Sequence, residues 1–237
     1  MSGFAGAALK AASDGCLNSM IGWRLAPGTG YCEIGSELVF LDLSRDKYLA
    51  LRGGDRAAFL RLRAGEPNDS DAMGRLVATG FLARADRETN LAPASIDIPG
   101  RDISTIREQR FSAAMALSTA RALRTARRGM RPDQIATTIE RRRQRKKKVG
   151  VPGADKDARR VAASYAASRW INPEPPRCLI DALALDHILL SRGLAVAMVF
   201  GVRLEPFAAH CWLQTPETVL TGTAAEARNF TPILVVG

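Results

Sequence analysis

The chain has 237 residues, of which 46% are hydrophobic and 24% are charged, and its formal net charge is +10. This composition is typical of one large or two small globular domains and excludes a disordered chain. No run of 18 apolar residues is present, and the N-terminus lacks the pattern of a signal peptide, so we expect neither a membrane span nor export. The four cysteines show neither metal-ligand spacing nor a dense disulfide pattern, which favours a reducing, cytoplasmic location and no metal site.

The positive charge is concentrated in one segment, because residues 101–150 hold fifteen Arg and Lys against four Asp and Glu. Its densest part is Arg141–Lys148, with seven cations in eight positions. Such a run is typically solvated and mobile, and it binds any polyanion through counterion release. An acidic partner or the phosphates of a nucleotide are alternative contacts. Because no aromatic residues are interleaved, sequence-specific recognition of nucleic acid is not predicted.

Residues 1–27 show no clear periodicity and are predicted to form a flexible tail. Residues 28–85 then contain three strand-like runs, two short helical patterns and a closing strand. In chain order these are the strands 31–34, 37–43 and 47–51, the helices 56–63 and 72–79, and the strand 81–82. Asp55 and Asp71 are the predicted N-caps, and the polar turn before residue 47 predicts an antiparallel hairpin. Strands followed by helices predict a winged-helix-like module.

Residues 86–104 contain Pro93, Pro99 and Gly100 and are predicted to be a linker. The region 105–237 is predicted to begin with mostly helical chain and the basic run. A further helix is predicted over Ala158–Trp170.

Pro175 and Pro176 stop any preceding helix, and the apolar run after Cys178 predicts a buried helix that begins at this cysteine. The free N–H groups at a helix start, together with Arg177, favour a thiolate, so Cys178 is a candidate nucleophile. A buried structural cysteine is the alternative. His187 lies about 180° round the same helix, so we expect it to be packed or at the surface.

Four apolar strands are predicted after this helix, over 194–202, 208–214, 218–221 and 230–236. The second strand carries His210, which is on a different element from Cys178 and is the candidate base. A helix packed on antiparallel strands predicts the α+β class, with the catalytic pair split between helix start and strand.

The pattern L-x-F-L-D-L-x-x-D-x-Y-x-A-L, from Leu38 to Leu51, resembles the peptide-binding module of the PqqD type. This resemblance implies recognition of the leader of a ribosomally made peptide. The leader would add a strand to the hairpin sheet and contact the adjacent helix. The implied contact residues are Tyr48, Leu49, Leu51 and Leu76. A DNA-binding winged helix or a plain structural subdomain is the alternative.

Residues 155–237 resemble the protease half of the lasso-peptide maturation B proteins, which are transglutaminase-like. The matching segments are Cys178-Leu179, Ala182–Leu185, Arg192-Gly193, Gly201-Val202, His210–Gln214, Val219-Leu220 and Phe230–Leu234. With the leader-binding module in front, the order matches the fused form of this family. The resemblance implies a transglutaminase- or papain-like fold and a cysteine peptidase that cuts the leader from the core peptide.

The resemblance implies that Cys178 is the nucleophile and His210 its base. The family places an aspartate on the following strand to orient the imidazole, and that position is Gly222 here. A substitute is therefore expected, with candidates in the nucleophile helix, the following turn and the strand after it. These candidates are Asp181, Asp186, Glu217 and Thr221. A weak or inactive enzyme is the other reading of Gly222.

No bound cofactor is expected, although ATP dependence through a partner is implied by the resemblance. The implied partners are the precursor leader and a separate asparagine-synthetase-like lasso cyclase, with no membrane and no specific nucleic acid. Three alternatives to leader cleavage stay open. They are a leader-binding scaffold with a degenerate protease domain, acyl transfer to another amine, and a basic nucleic-acid-binding protein.

Overall fold

The computed structural model describes residues 22–85, 89–105, 111–131, 134–150, 153–169, 171 and 175–237. Residues 1–21, most of the predicted tail, lie outside this range. The strands are β1 (Gly22–Leu25), β2 (Thr29–Ile34), β3 (Glu37–Asp42), β4 (Lys47–Leu51), β5 (Leu82–Ala85), β6 (Arg101–Asp102), β7 (Ala197–Leu204), β8 (Phe207–Gln214), β9 (Thr218–Val219) and β10 (Thr231–Val236). The α-helices are α1 (Gly53–Ala64), α2 (Ser70–Ala78), α3 (Ala113–Gly129), α4 (Ile135–Val149), α5 (Asp155–Arg169), α6 (Cys178–Leu190) and α7 (Ala224–Ala227).

The N-terminal sheet has the order β2-β3-β4 and is antiparallel throughout, so the predicted hairpin is confirmed. Alternate residues of a strand face opposite sides. Tyr31 and Phe40 lie on the side covered by α1 and α2, where Phe40 meets Phe59 edge to face at 5.1 Å between ring centroids. Cys32 and Val39 lie on the other side, in the core that also contains α6. The predicted module therefore shares one of its cores with the C-terminal half.

Residues 22–25, which the sequence analysis assigned to the tail, form β1 and pair antiparallel with β5 from Gly22↔Ala85 to Leu25↔Leu82. A strand of four residues is too short to show a periodicity. Its partner strand lies some 60 residues away, so local sequence gives no sign of the pairing. The closing strand predicted at 81–82 begins at Leu82 and continues to Ala85.

The segment predicted as a linker packs along the protein over its described part, residues 89–104. Leu91 is buried, and its carbonyl accepts a hydrogen bond from the Tyr31 hydroxyl at 2.6 Å. The Asp97 carbonyl accepts one from the Gln214 amide at 2.7 Å, and β6 then pairs parallel with β9. These hydrogen bonds hold an irregular segment in place, which periodicity does not predict.

The C-terminal sheet has the order β10-β7-β8-β9-β6. Strands β7 and β8 pair antiparallel along their whole length, from Ala197↔Gln214 to Leu204↔Phe207. Helix α6 covers one face, with α3 and α5 packed against it. A smaller apolar cluster with α7 covers the other face. The predicted helix on an antiparallel sheet is confirmed, and α6 begins at Cys178 as predicted.

The basic run is not a mobile segment, because it forms most of α4. Two of its cations, one helical turn apart, point into the protein: Arg142 is 6% exposed and Lys146 is 3% exposed. Lys146 Nζ lies 2.8 Å from Asp186 Oδ1 on α6, and Arg142 Nε lies 3.7 Å from the other carboxylate oxygen. Lys146 also donates to the backbone carbonyls of Val196 and Val236. The run therefore anchors α4 to the nucleophile helix and to the sheet.

Two predicted helix starts differ from the structure. Helix α1 begins at Gly53, two residues before the predicted cap Asp55. Helix α2 is capped by Asp69, whose side chain accepts from the Ala72 N–H at 2.6 Å, and not by Asp71. Both Asp69 and Asp71 suit an N-cap, so residue type alone does not decide between them.

None of the helices in the described ranges is long and apolar enough to cross a membrane.

Removing the Lys146 ammonium should strongly destabilise the fold, because the Asp186 carboxylate stays buried after losing its nearest partner. We expect Lys146→Met to lower the free energy of unfolding by about 3–5 kcal/mol, as in other broken buried ion pairs. The matched control Lys147→Met changes an exposed neighbour on the same helix. It should change the free energy of unfolding by less than about 0.5 kcal/mol. Urea unfolding of both variants measures this, and equal midpoints would contradict the anchoring role.

Candidate active site

Cys178 is the first residue of α6, and the start of this helix is held in place by Asp181. The Asp181 carboxylate accepts from the Arg177 N–H at 2.9 Å, from the Tyr165 hydroxyl at 2.6 Å and from Arg169 Nε at 2.6 Å. Burial, and then the neighbouring Asp181 charge, raises the pKa of Tyr165, which keeps that hydroxyl protonated as a donor. Asp181 thus fixes the backbone that carries the thiol.

The Cys178 side chain is exposed, whereas Cys32 and Cys211 are buried. A shallow cavity of about 320 Å³ opens beside Cys178 and is lined by Arg127, Met130 and Arg177. The first turn of α6 and these guanidinium groups place positive charge around this cavity. The alternative of a buried structural cysteine is therefore wrong for Cys178.

Tyr48 of β4 lies close to this thiol. Burial, followed by the nearby Cys211, Asp46 and Cys178, raises the pKa of the Tyr48 hydroxyl. The Tyr48 ring also meets Phe207 of the β7–β8 hairpin at 5.5 Å between centroids. The edge strand of the N-terminal sheet therefore contacts the β7–β8 hairpin through Tyr48.

His210 lies on the face of the C-terminal sheet that α6 does not cover. Its neighbour Cys211 is buried against α6 and interacts electrostatically with Cys178. Successive side chains of a strand point to opposite faces, and β8 keeps its register with β7 through this region. Trp212, on the His210 side, belongs to the cluster on the second face. Within the described chain, no hydrogen bond joins Cys178 to His210, so the predicted pair is not assembled in this state.

The imidazole of His210 is held between two aromatic rings. Its centroid is 5.8 Å from that of Trp212 and 5.2 Å from that of Phe230. Burial lowers the pKa of His210, and the carboxylate of Glu226 opposes this effect. Nε2 of the ring is buried and has no hydrogen-bond partner in the part of the chain that the structure describes. Trp212 is fully buried and packs as a core side chain beside the histidine.

Gly222 lies next to the same ring nitrogen. A Cβ built on Gly222 would be 3.6 Å from His210 Nε2 and 3.1 Å from Glu226 Oε2. An acidic side chain at position 222 would thus face the imidazole, as the resemblance implies for the missing aspartate. Glu226 was not among the sequence-predicted candidates. The spacing of Thr223 and Glu226, which is that of a capping box, is the signal that points to it.

The four predicted substitutes for the aspartate make no hydrogen bond or ion pair with His210 in the described structure. Asp181 and Asp186 are bound within the helical layer, as described above. Glu217 pairs with Arg101 at 2.7 Å. The Thr221 hydroxyl accepts from the Leu213 N–H at 2.9 Å. Each of these side chains serves local structure.

The predicted leader contacts divide into exposed and buried side chains. Leu49 is 42% exposed on β4, and Val77 of α2, which the sequence analysis did not select, is 44% exposed. Leu51 and Leu76 are buried in the core beneath the N-terminal sheet, and Tyr48 is half-buried against the C-terminal half. Of the four predicted residues, Leu49 alone has an exposed side chain.

No three His, Cys, Asp or Glu side chains of the described residues converge in a way that could hold a metal ion.

Thiol labelling tests this arrangement without any substrate. At about pH 8 we expect iodoacetamide to modify Cys178 in the native protein. Cys32 and Cys211 should react only after unfolding, because burial raises the pKa of Cys32 to about 12 and that of Cys211 well above its ordinary value. Peptide mapping separates the sites. His210→Ala should leave the Cys178 rate unchanged at every pH, and a rate that depends on His210 in the free protein would contradict the opposite-face placement.

The C-terminal half of the chain matches a known family. The model of the transglutaminase-like superfamily matches residues 113–235, which include Cys178, His210 and Gly222. Neither a curated protein nor a solved structure matches the chain. The matched region contains α3 to α7 and strands β7 to β10. Because the match covers more than half of its residues, the chain belongs to the transglutaminase-like superfamily.

Proposed function

We propose that this protein is a cysteine peptidase that removes the leader from a lasso-peptide precursor, with Cys178 as nucleophile. Members of its superfamily are typically cysteine peptidases or transglutaminases. The observation that carries the proposal is the exposed Cys178 thiol at the start of a buried helix, which interacts electrostatically with Tyr48 of the edge strand β4. A peptide held along β4 would pass close to the nucleophile.

Leader binding is proposed at the outer edge of β4. In the described residues β4 pairs with β3 alone, so its other edge is open to a further strand. A bound leader would form main-chain hydrogen bonds with this edge and place apolar side chains near Leu49. Phe207 is 57% exposed, and its ring contact with Tyr48 adds to this apolar surface.

Cleavage would follow the usual course of a cysteine peptidase. The Cys178 sulfur attacks the carbonyl carbon at the leader–core junction, and N–H groups at the start of α6 stabilise the oxyanion. His210 takes the thiol proton and gives it to the departing amine of the core peptide. Water then hydrolyses the thioester and releases the leader carboxylate. A separate cyclase would use the freed amine.

This mechanism requires His210 to approach Cys178 when the precursor or the cyclase binds. The first half of β8 is suited to such a change, because β9 pairs with β8 at Gln214 alone. Residues 207–211 are therefore held in the sheet by β7 on one side. The proposed trigger is the peptide on β4, since Tyr48 and Phe207 already join that strand to the β7–β8 hairpin.

A leader-binding scaffold without peptidase activity is the second candidate. It is favoured by the unpaired positions of Cys178 and His210 on opposite sides of the sheet and by the glycine at position 222. A nucleic-acid function has less support, because Arg142 and Lys146 of the basic run are used inside the protein.

A single assay distinguishes the peptidase from the leader-binding scaffold. The purified protein is incubated with its precursor peptide, with and without cyclase and ATP, and leader release is followed by mass spectrometry. We expect cleavage by the wild type and by Cys16→Ala, and none by Cys178→Ala, because only the last change removes the nucleophile. Leader binding, followed by fluorescence anisotropy, should survive in Cys178→Ala.

Cleavage by Cys178→Ala would overturn the proposed mechanism. Binding without cleavage by the wild type, even with cyclase and ATP, would establish the scaffold. A charge on the β4 edge, Leu49→Glu, should weaken leader binding in either case.

A further inference from the structure

We propose that Glu226 is the positioning residue of His210, its carboxylate binding Nε2 in the space that Gly222 leaves open. Its consequence for catalysis rests on the proposed peptidase function. The contact itself does not, so the two can be tested separately.

The geometry brings one carboxylate and one ring nitrogen to the same small space. Glu226 Oε2 and His210 Nε2 lie 3.1 Å and 3.6 Å from the point where a Cβ of residue 222 would sit. Because that residue is glycine, no side chain separates them. Glu226 is exposed, and the contact forms when its side chain turns toward the ring in another staggered rotamer.

Among the described residues, the ring nitrogen has no hydrogen-bond partner. Nε2 is buried there without one, although buried polar atoms are seldom left unpaired. The aromatic rings of Trp212 and Phe230 stack on the imidazole and offer no acceptor. A carboxylate at this edge would supply the missing acceptor and fix the Nε2–H tautomer.

The backbone that carries Glu226 is held at two points. The Thr223 hydroxyl accepts from the Glu226 N–H at 3.1 Å. The Asp102 carboxylate accepts from the Ala224 N–H at 2.8 Å and ties α7 to β6. Glu226 is therefore presented to the imidazole by a fixed turn, which a positioning residue requires.

The electrostatics agree with the geometry. The charge of Glu226 raises the pKa of His210 against the larger lowering by burial. Arg203 of β7 also lies at this cluster, over the Phe230 ring at 5.4 Å, and the Asp102 carboxylate lies at the start of α7. On the opposite face of β8 are Cys211 and, beyond it, Lys146 and Asp186. Neutralising Glu226 removes the one interaction that favours the protonated imidazole.

With Nε2 bound to Glu226, Nδ1 is the nitrogen left for proton transfer. The carboxylate would thus set both the tautomer and the direction of the ring. A thiol or a leaving amine that approaches the exposed side of His210 would then meet a basic nitrogen.

An NMR titration tests the contact without substrate. The chain has two histidines, His187 and His210, so their ring signals can be assigned by single substitutions. Glu226→Gln should lower the pKa of His210 and leave that of His187 unchanged, because His187 lies on α6 beside Arg142. The control Glu205→Gln removes an exposed carboxylate from the β7–β8 turn and should leave His210 unchanged.

A swap of the carboxylate gives a second test. In Gly222→Asp/Glu226→Gln the charge moves to the other side of the same space, and Asp tolerates the positive φ of 72° at this position. We expect this variant to restore the pKa of His210. In the cleavage assay, Glu226→Gln should lower kcat by roughly tenfold or more with little change in KM, and the swap should recover it.

A His210 titration that is unaffected by Glu226→Gln would overturn the proposal, whatever the cleavage assay gives. If the pKa of His210 shifts as expected and the wild type cleaves no precursor, the contact between Glu226 and His210 is supported and the proposed peptidase function is wrong.

Discussion

The buried ion pair between Asp186 and Lys146 is the interaction on which the placement of the nucleophile depends. A carboxylate at 0% exposure in an apolar helix is strongly unfavourable unless it is paired. Lys146 lies 2.8 Å away and also donates to carbonyls next to β7 and at the end of β10. One ammonium group therefore joins the basic helix, the nucleophile helix and the sheet. It fixes α6, whose first residue is Cys178, relative to the strand that carries His210.

The second constraint is the shared core of the two halves. The N-terminal sheet buries one face under its own helices and the other against the C-terminal half. In the described residues β4 pairs with β3 alone, and its Tyr48 side chain interacts electrostatically with Cys178. A protein that must both hold a peptide and cut it at a fixed distance benefits from such rigid coupling, since reacting groups have to be positioned accurately. In contrast, the Cys178 and His210 side chains stay apart in the free protein.

Much of the fold could be predicted because its signals are local. The two prolines before Cys178 mark the start of α6, and the polar turn before Lys47 marks the hairpin. The packing of the basic run against the rest of the protein could not be predicted. Its partner Asp186 lies some 40 residues away, and a high density of charge by itself indicates a segment exposed to solvent. The packed segment before β6 has no periodicity to detect. These errors all concern contacts between residues distant in sequence.

Only part of the candidate site could be predicted, because its geometry also depends on contacts between distant parts of the chain. Residue type and spacing identify Cys178 and His210 but not the face of β8 on which the imidazole lies. Both faces of β8 are covered, so apolar residues occur at successive positions of the strand. Alternation of apolar and polar residues therefore does not show which side chains share a face. Glu226 was missed because α7, with four residues, is too short for helical periodicity. Its proximity to His210 follows from the turn at Gly222, which sequence alone does not place.

The central claim is that Cys178 attacks a peptide bound along β4. A leader peptide whose C-terminal residue carries an aldehyde tests this directly, because the aldehyde forms a hemithioacetal with the attacking thiol. With the aldehyde carbon of this peptide labelled with ¹³C, NMR should show the aldehyde signal replaced by that of a hemithioacetal when the peptide binds to the protein. The adduct should be lost in Cys178→Ala and retained in Cys16→Ala. An adduct that persists in Cys178→Ala, or a peptide that binds without forming any adduct, would contradict the account.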